Sequence, residues 1–180
     1  MKTHSELQHL DLVTADDDIL YTRDWLSSLL QIDNEGGSLI ICHRAHRISM
    51  INGDIAPYRY WRRVESSSPS VLNFATGVMG VRYPAAFAWT LAGTGPEFLA
   101  VCPHADDVWL HAMALRNGLR IRQVEERARE FPVMLGSQQF SLVSKNAFDG
   151  GNDRQIVATY TAHDTKLLEQ ALRSDRSSEE

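Results

Sequence analysis

Four short segments of this 180-residue chain carry residue types that could do chemistry. The first is Thr14-Ala15-Asp16-Asp17-Asp18. Neighbouring carboxylates repel one another unless a cation neutralises them, and hard oxygen ligands suit Mg2+ or Mn2+. On an extended backbone Asp16 and Asp18 project to the same side, as a pinch of two carboxylates. A solvated acidic turn ahead of the next helix accounts for the triplet equally well. The second segment is Pro103-His104-Ala105-Asp106-Asp107, which opens a helical stripe. A carboxylate at a helix N-terminus is stabilised by the dipole and the free N–H groups, so Asp106 is the expected N-cap. Asp107 is then surplus to capping. It suits a general base, which must be a fixed anion within hydrogen-bond reach of the proton it takes.

The third segment, Cys42-His43-Arg44-Ala45-His46, holds three zinc-ligand side chains. On an extended strand His43 and His46 face opposite ways, so zinc would require a bulge, and a structural role is the simpler reading. The fourth is Asn73-Phe74-Ala75-Thr76-Gly77-Val78-Met79-Gly80. Two glycines three apart let a backbone approach a ligand closely. The spacing is not GxGxxG and does not make a phosphate cradle. A tight turn in a sheet explains it as well.

The elements that must position these segments follow from apolar periodicity. Leu10, Leu12 and Val13 form a short apolar run that stops at the acidic triplet, which predicts a buried strand ending at a solvent-facing edge. Trp25, Leu26, Leu29 and Leu30 recur at helical spacing within Asp24–Ile32, and Gly36-Gly37 ends that helix. Strand character returns over Ser38–Ser49, and Asn52-Gly53 marks a tight turn between Met50-Ile51 and Ile55. Pro57–Val64 is aromatic and basic, and Ser66–Ser70 is a loop. Val108, Trp109, Ala112, Met113 and Leu115 give a helical stripe that Gly118 closes. Leu119, Ile121 and Val124 alternate with arginines as a strand, and Ala162–Arg173 reads as a closing helix. Alternating strands and helices predict an α/β class. Residues 1–173 then form one domain, and Ser174–Glu180 a frayed polar tail.

Composition removes several classes. With 43% hydrophobic and 23% charged residues the chain is neither disordered nor a disulfide scaffold. The net charge of −5 lacks the basic footprint of a nucleic-acid binder. Cys42 and Cys102 lack CxxC spacing and read as reduced thiols of a cytoplasmic protein. Met1–Asp11 carries no secretory signal, and no apolar run is long enough to span a membrane.

Taken in order, VTADDDILYTRDWL, IICHRAHRI, LNFATGVMGVRYP, CPHADDVWLHAMALRNG and GGNDRQI (Gly150–Ile156) resemble the glycosyltransferase family 2-like proteins of bacteria, which have the GT-A (Rossmann-like) fold. The likeness runs from about Val13 to Ile156. It implies metal-dependent transfer of a sugar from a nucleotide-sugar donor, of UDP or dTDP type, to a hydroxyl of a glycan or other acceptor, with inversion. Asp16 and Asp18 match the positions that hold Mn2+ or Mg2+ against the donor diphosphate, and Asp17 the contact to ribose or sugar. Asp107, or else Asp106, matches the base. Thr76, Gly77, Gly80 and His104 fall on the acceptor side, where the Tyr58–Arg63 run could also lie. In that family a nucleotide-binding strand–helix–strand half precedes the acidic strand, whereas about a dozen residues precede Asp16 here. The expectation is an N-terminally short domain whose sheet self-association or a partner completes.

Two other functions compete. One is a truncated domain that binds a glycan or a partner and catalyses nothing. The other is a zinc-dependent sugar de-N-acetylase, since Pro103–Asp107 is similar to the PHPDD-type segment of that family, with Ala105 where a proline is expected.

Overall fold

The computed structural model describes residues 9–134 and 151–179. In chain order these form β1 (Leu12–Thr14), α1 (Trp25–Gln31), β2 (Leu39–Cys42), β3 (Ala45–Arg47), β4 (Met50–Ile51), β5 (Asp54–Ile55), β6 (Arg62–Arg63), β7 (Asn73–Ala75) and β8 (Val81–Tyr83). Then follow α2 (Ala85–Gly93), α3 (Phe98–Val101), α4 (Asp106–Arg116), β9 (Arg120–Gln123), α5 (Gly151–Thr159) and α6 (Ala162–Glu179). The class is mixed α/β, as the alternation predicts. Gly150, which opens the GGNDRQI segment, lies outside the described residues, as do Met1–Gln8 and Glu180.

The main sheet has strand order β1-β8-β2-β9. Pairings of β8 with β1 and with β2 are antiparallel, and β2 with β9 is parallel, so the sheet is mixed. Leu39-Ile40-Ile41-Cys42 is buried at every position because both faces of β2 are covered. Ile40 and Cys42 face the core under α4, whereas Leu39 and Ile41 pack with Leu29 of α1. A second sheet, β6-β3-β7, continues from the first where the chain bends between Cys42 and Ala45. Asn52 and Gly53 both take positive φ (54° and 88°), the geometry of the expected tight hairpin turn between β4 and β5.

Helix α4 lies across the larger core, placing Val108, Ala112 and Leu115 against Phe74, Leu72 and Trp61. It is fixed at mid-length and at its C-terminal end. The buried His111 donates from Nε2 to Val71 O at 2.9 Å, so its Nδ1 accepts the Tyr160 hydroxyl at 2.6 Å. Burial lowers the His111 pKa to about 4, which keeps that ring neutral. At the C-terminal end Arg116 forks onto Asp164 at 2.7–3.2 Å and reaches Thr159 O at 2.7 Å. Asp164 also accepts from Thr161 N and Oγ1, both at 2.8 Å, capping α6.

Burial pushes the Asp164 carboxyl up, but the Arg116 and Thr161 hydrogen bonds outweigh it and its pKa is lowered. The stabilisation is therefore complete above the ordinary carboxylate range and is lost as pH falls through the lowered value. Asp164→Ala would strand the Arg116 charge and uncap α6, so a loss of about 3 kcal/mol in urea unfolding at pH 7 is expected, shrinking in strong acid.

Two sequence expectations change. Within the run Leu10–Ala15 only Leu12–Thr14 is strand, among the described residues it pairs with β8 alone, and Leu12 is 46% exposed rather than buried. The expected frayed tail after Arg173 is helical through Glu179. Its first turns are tied down by an Arg47–Asp175 ion pair, a Glu169–Arg173 pair four apart, and Ser174 and Ser177 hydroxyls donating to the carbonyls four residues back. Among the described residues no helix is long and apolar enough to cross a membrane.

Candidate active site at the start of α4

The helix begins one residue earlier than its sequence suggests. Ala105 is the N-cap and offers no side-chain bond, so Asp106 is inside the first turn and is not the cap. Asp107 turns away from the helix to accept the Gly77 N–H on both carboxylate oxygens, at 3.0 and 3.1 Å. A Cβ on Gly77 would stand 3.0 Å from that carboxylate, so glycine is what lets it close in.

The turn Gly77–Met79 that receives Asp107 is fastened on its other side by the segment following the acidic triplet. Tyr21 donates its hydroxyl to Val78 O at 3.0 Å and accepts the Asp16 N–H at 2.8 Å. The Trp25 indole N–H donates to Met79 O at 2.9 Å. A hydrogen-bonded path thus runs from Asp16 through Tyr21 and the glycine turn to Asp107. It draws together two acidic segments that lie far apart in the sequence.

Their charges meet. Burial, then Asp106, raise the Asp107 pKa to about 7; Gly77 and Arg44 oppose the rise and Asp16 adds to it. Asp107 is half-buried and keeps some exposed surface. Burial also raises Asp16, followed by the charges of Asp18, Asp106 and Asp17. A small cavity of about 10 Å³, bordered by Asp107, Tyr83 and His111, has room for roughly one water.

The acceptor-side candidates are placed unequally. Gly77 is at the site, in contact with Asp107. Thr76 is buried beside it and donates its N–H to Arg44 O at 3.1 Å. Gly80, at φ +100°, lies under the Trp25 indole, so its missing side chain makes room for that ring. His104 is exposed on the loop before α4, and its N–H donates to Gln155 Oε1 at 2.8 Å. Two contributors escaped the sequence reading. Tyr21, four residues before Trp25, is the bridge just described. Arg44 was read only as part of a Cys–His segment.

No family model, curated protein or solved structure matches the chain. Among the described residues no group of three or more His, Cys, Asp or Glu side chains is placed to hold a metal. Neither zinc segment nor the acidic triplet gathers such a group among the described residues. Cys42 faces Arg122 O, His43 donates from Nε2 to Trp25 O, and His46 packs on Tyr58 at 5.5 Å between ring centres. The strand ends at Thr14 and Asp17-Asp18 form a turn, so the extended pinch of Asp16 and Asp18 expected from the sequence is not formed; the charges of Asp18, Asp106 and Asp17 nonetheless act on Asp16. A cluster of like charges of this kind is one that a divalent cation would relieve.

Proposed function

We propose that this chain is a metal-dependent glycosyltransferase domain of GT-A type, transferring a sugar from a nucleotide-sugar donor to an acceptor hydroxyl with inversion. The observation that carries the reading is the meeting of the acidic triplet and the α4 carboxylates, with the Asp107 carboxyl brought to about 7. A base works best when its pKa lies near the working pH and its position is fixed. Asp107 meets both conditions, the second through Gly77.

Asp16 and Asp18 would hold Mn2+ or Mg2+, which when bound would stabilise charge on the leaving diphosphate. Asp17 would lie on the donor side. Asp107 takes the proton of the acceptor hydroxyl. The acceptor oxygen forms the new bond to the anomeric carbon as the bond to the diphosphate oxygen breaks. Asp106 contributes by keeping the Asp107 pKa high.

Calorimetric titration of UDP, and of dTDP in parallel, tests the donor side. Saturable binding is expected with Mn2+ and not with EDTA, and Asp16→Ala or Asp18→Ala should weaken it at least about tenfold. Absence of binding under every condition would favour a second reading, a non-catalytic domain that binds a glycan or a partner. Leu12, Leu26 and Leu30, each about half exposed on β1 and α1, favour that second reading, because they leave an apolar flank beside a strand edge that is unpaired among the described residues.

A further inference from the structure

Arg44 occupies the bend where the chain leaves β2 for β3, flanked by the buried His43 and Ala45. Its carbonyl takes the Thr76 N–H at 3.1 Å, and the very next N–H, that of Gly77, goes to Asp107. Consecutive amides thereby hold Arg44 and the base candidate on neighbouring positions of one turn. The Arg44 side chain is half-buried, its Nε is shut off from solvent, and that nitrogen has no hydrogen-bond partner. No ion pair among the described residues includes it, although seven other arginines have one. An enclosed guanidinium N–H without a partner is costly unless a ligand supplies the acceptor.

The surroundings say which ligand. Beside Arg44 lie His46 and Tyr58, in ring contact with each other, and Tyr58 packs on Trp61 and Phe74 at 5.0 and 6.0 Å. Trp61 and Phe74 are buried in the core, so only the half-buried His46 and Tyr58 rings offer an apolar edge to a sugar face. Burial, then Arg44 and Arg63, lower His46 to about 4, so the ring is neutral; Arg63 is paired with Glu130, whereas Arg44 is in no ion pair among the described residues. The Arg44 charge also reaches Tyr58 and Asp107, whereas the charges acting on Asp16 are those of Asp18, Asp106 and Asp17. The Thr76 and Gly77 amides tie Arg44 to the turn that holds Asp107, and no hydrogen bond among the described residues ties it to the acidic triplet.

We infer that Arg44 binds an anionic substituent of the acceptor, a carboxylate or a phosphate, so that the sugar accepted next to Asp107 is an acidic one. A planar guanidinium matches both anions with paired N–H donors. This rests on the reading of Asp107 as the acceptor base.

The test titrates the full chain with glucuronate, glucose 6-phosphate and glucose, following the Arg44 Nε–H resonance together with heats of binding. At least one anion is expected to bind about tenfold or more tightly than glucose and to shift that resonance. In Arg44→Gln the advantage should fall below about twofold, and Arg44→Lys should retain part of it. Equal affinity for glucose and both anions, binding that leaves the Nε–H unmoved, or no saturable binding of any of the three overturns the inference. UDP with Mn2+, titrated in the same buffer, separates the two ideas. An intact anion site with no UDP binding would sink the transferase reading and with it the acceptor role, leaving Arg44 as an anion-binding residue only, whereas UDP binding without anion preference would sink only the acidic acceptor.

Discussion

Replacing Asp107 by asparagine is expected to abolish sugar transfer while leaving the chain folded and, at neutral pH and above, more stable than its parent. Asparagine keeps an oxygen for the Gly77 N–H, so the turn that holds the site survives. What disappears is the proton acceptor, a loss of about 10²–10⁴-fold in rate where a general base operates. The stability effect has the opposite sign because burial and the charges of Asp106 and Asp16 disfavour the Asp107 carboxylate. A folded pKa raised to about 7 means that the protonated form favours folding fully below about pH 4, and that this benefit drains away as pH rises through 7. The variant should thus pull ahead of the parent between about pH 4 and 7 and keep its lead above, by a few kcal/mol at most. Urea melts at pH 5 and pH 8 read that difference, and initial rates at saturating donor read the transfer. Undiminished transfer would remove Asp107 as the base. Lost transfer together with lost stability at pH 8 would make it a structural residue instead.

Gly80→Ala should be the most damaging small substitution in the molecule. The new Cβ would stand 2.5 Å from two atoms of the Trp25 indole, inside any tolerable contact, and the backbone there has φ +100° and ψ 136°. That conformation alone costs about 1–3 kcal/mol for a residue with a side chain. Displacing the indole also breaks its 2.9 Å bond to Met79 O and loosens the turn that presents Gly77 to Asp107. A combined loss of about 3–5 kcal/mol is expected, read by urea unfolding and by the near-ultraviolet signal of the tryptophans. In a Trp25→Leu background the same glycine substitution should cost only its backbone share. Equal costs in both backgrounds would mean that the ring contact is not what demands glycine at position 80.

The local elements were legible wherever one short-range rule decided them. Trp25 and Leu29 recur at helical spacing, Asn52-Gly53 supplies two left-handed residues in a row, and Ile121 alternates with its arginine neighbours. All three appear where those rules put them. The edge position of β1 was not legible, since an apolar run states that a strand forms but not which strands flank it. The polar residues after Arg173 look unstructured by composition, yet pairing with Arg47, more than a hundred residues away, helps hold them in helix. Of the site, the two acidic segments stood out individually, but their meeting depends on Tyr21, whose role is visible only once it bridges Asp16 and Val78. Arg44 went unnoticed because an arginine amid strand residues ordinarily points to solvent, and nothing local states that its Nε is shut in.

Helix α4 is bolted at three heights: Asp107 to Gly77, His111 between Val71 and Tyr160, and Arg116 to Asp164. Those fastenings span roughly 14 Å at 1.5 Å per residue, from one end of the helix to the other. A rod pinned along its whole length cannot roll or slide to greet a visitor. Folding itself has aimed the Asp107 carboxylate, and a substrate arriving there meets an instrument already in alignment. The adaptability needed to seat different molecules must then come from the surfaces around the rod, and drift in those surfaces can change what is bound without disturbing the aim.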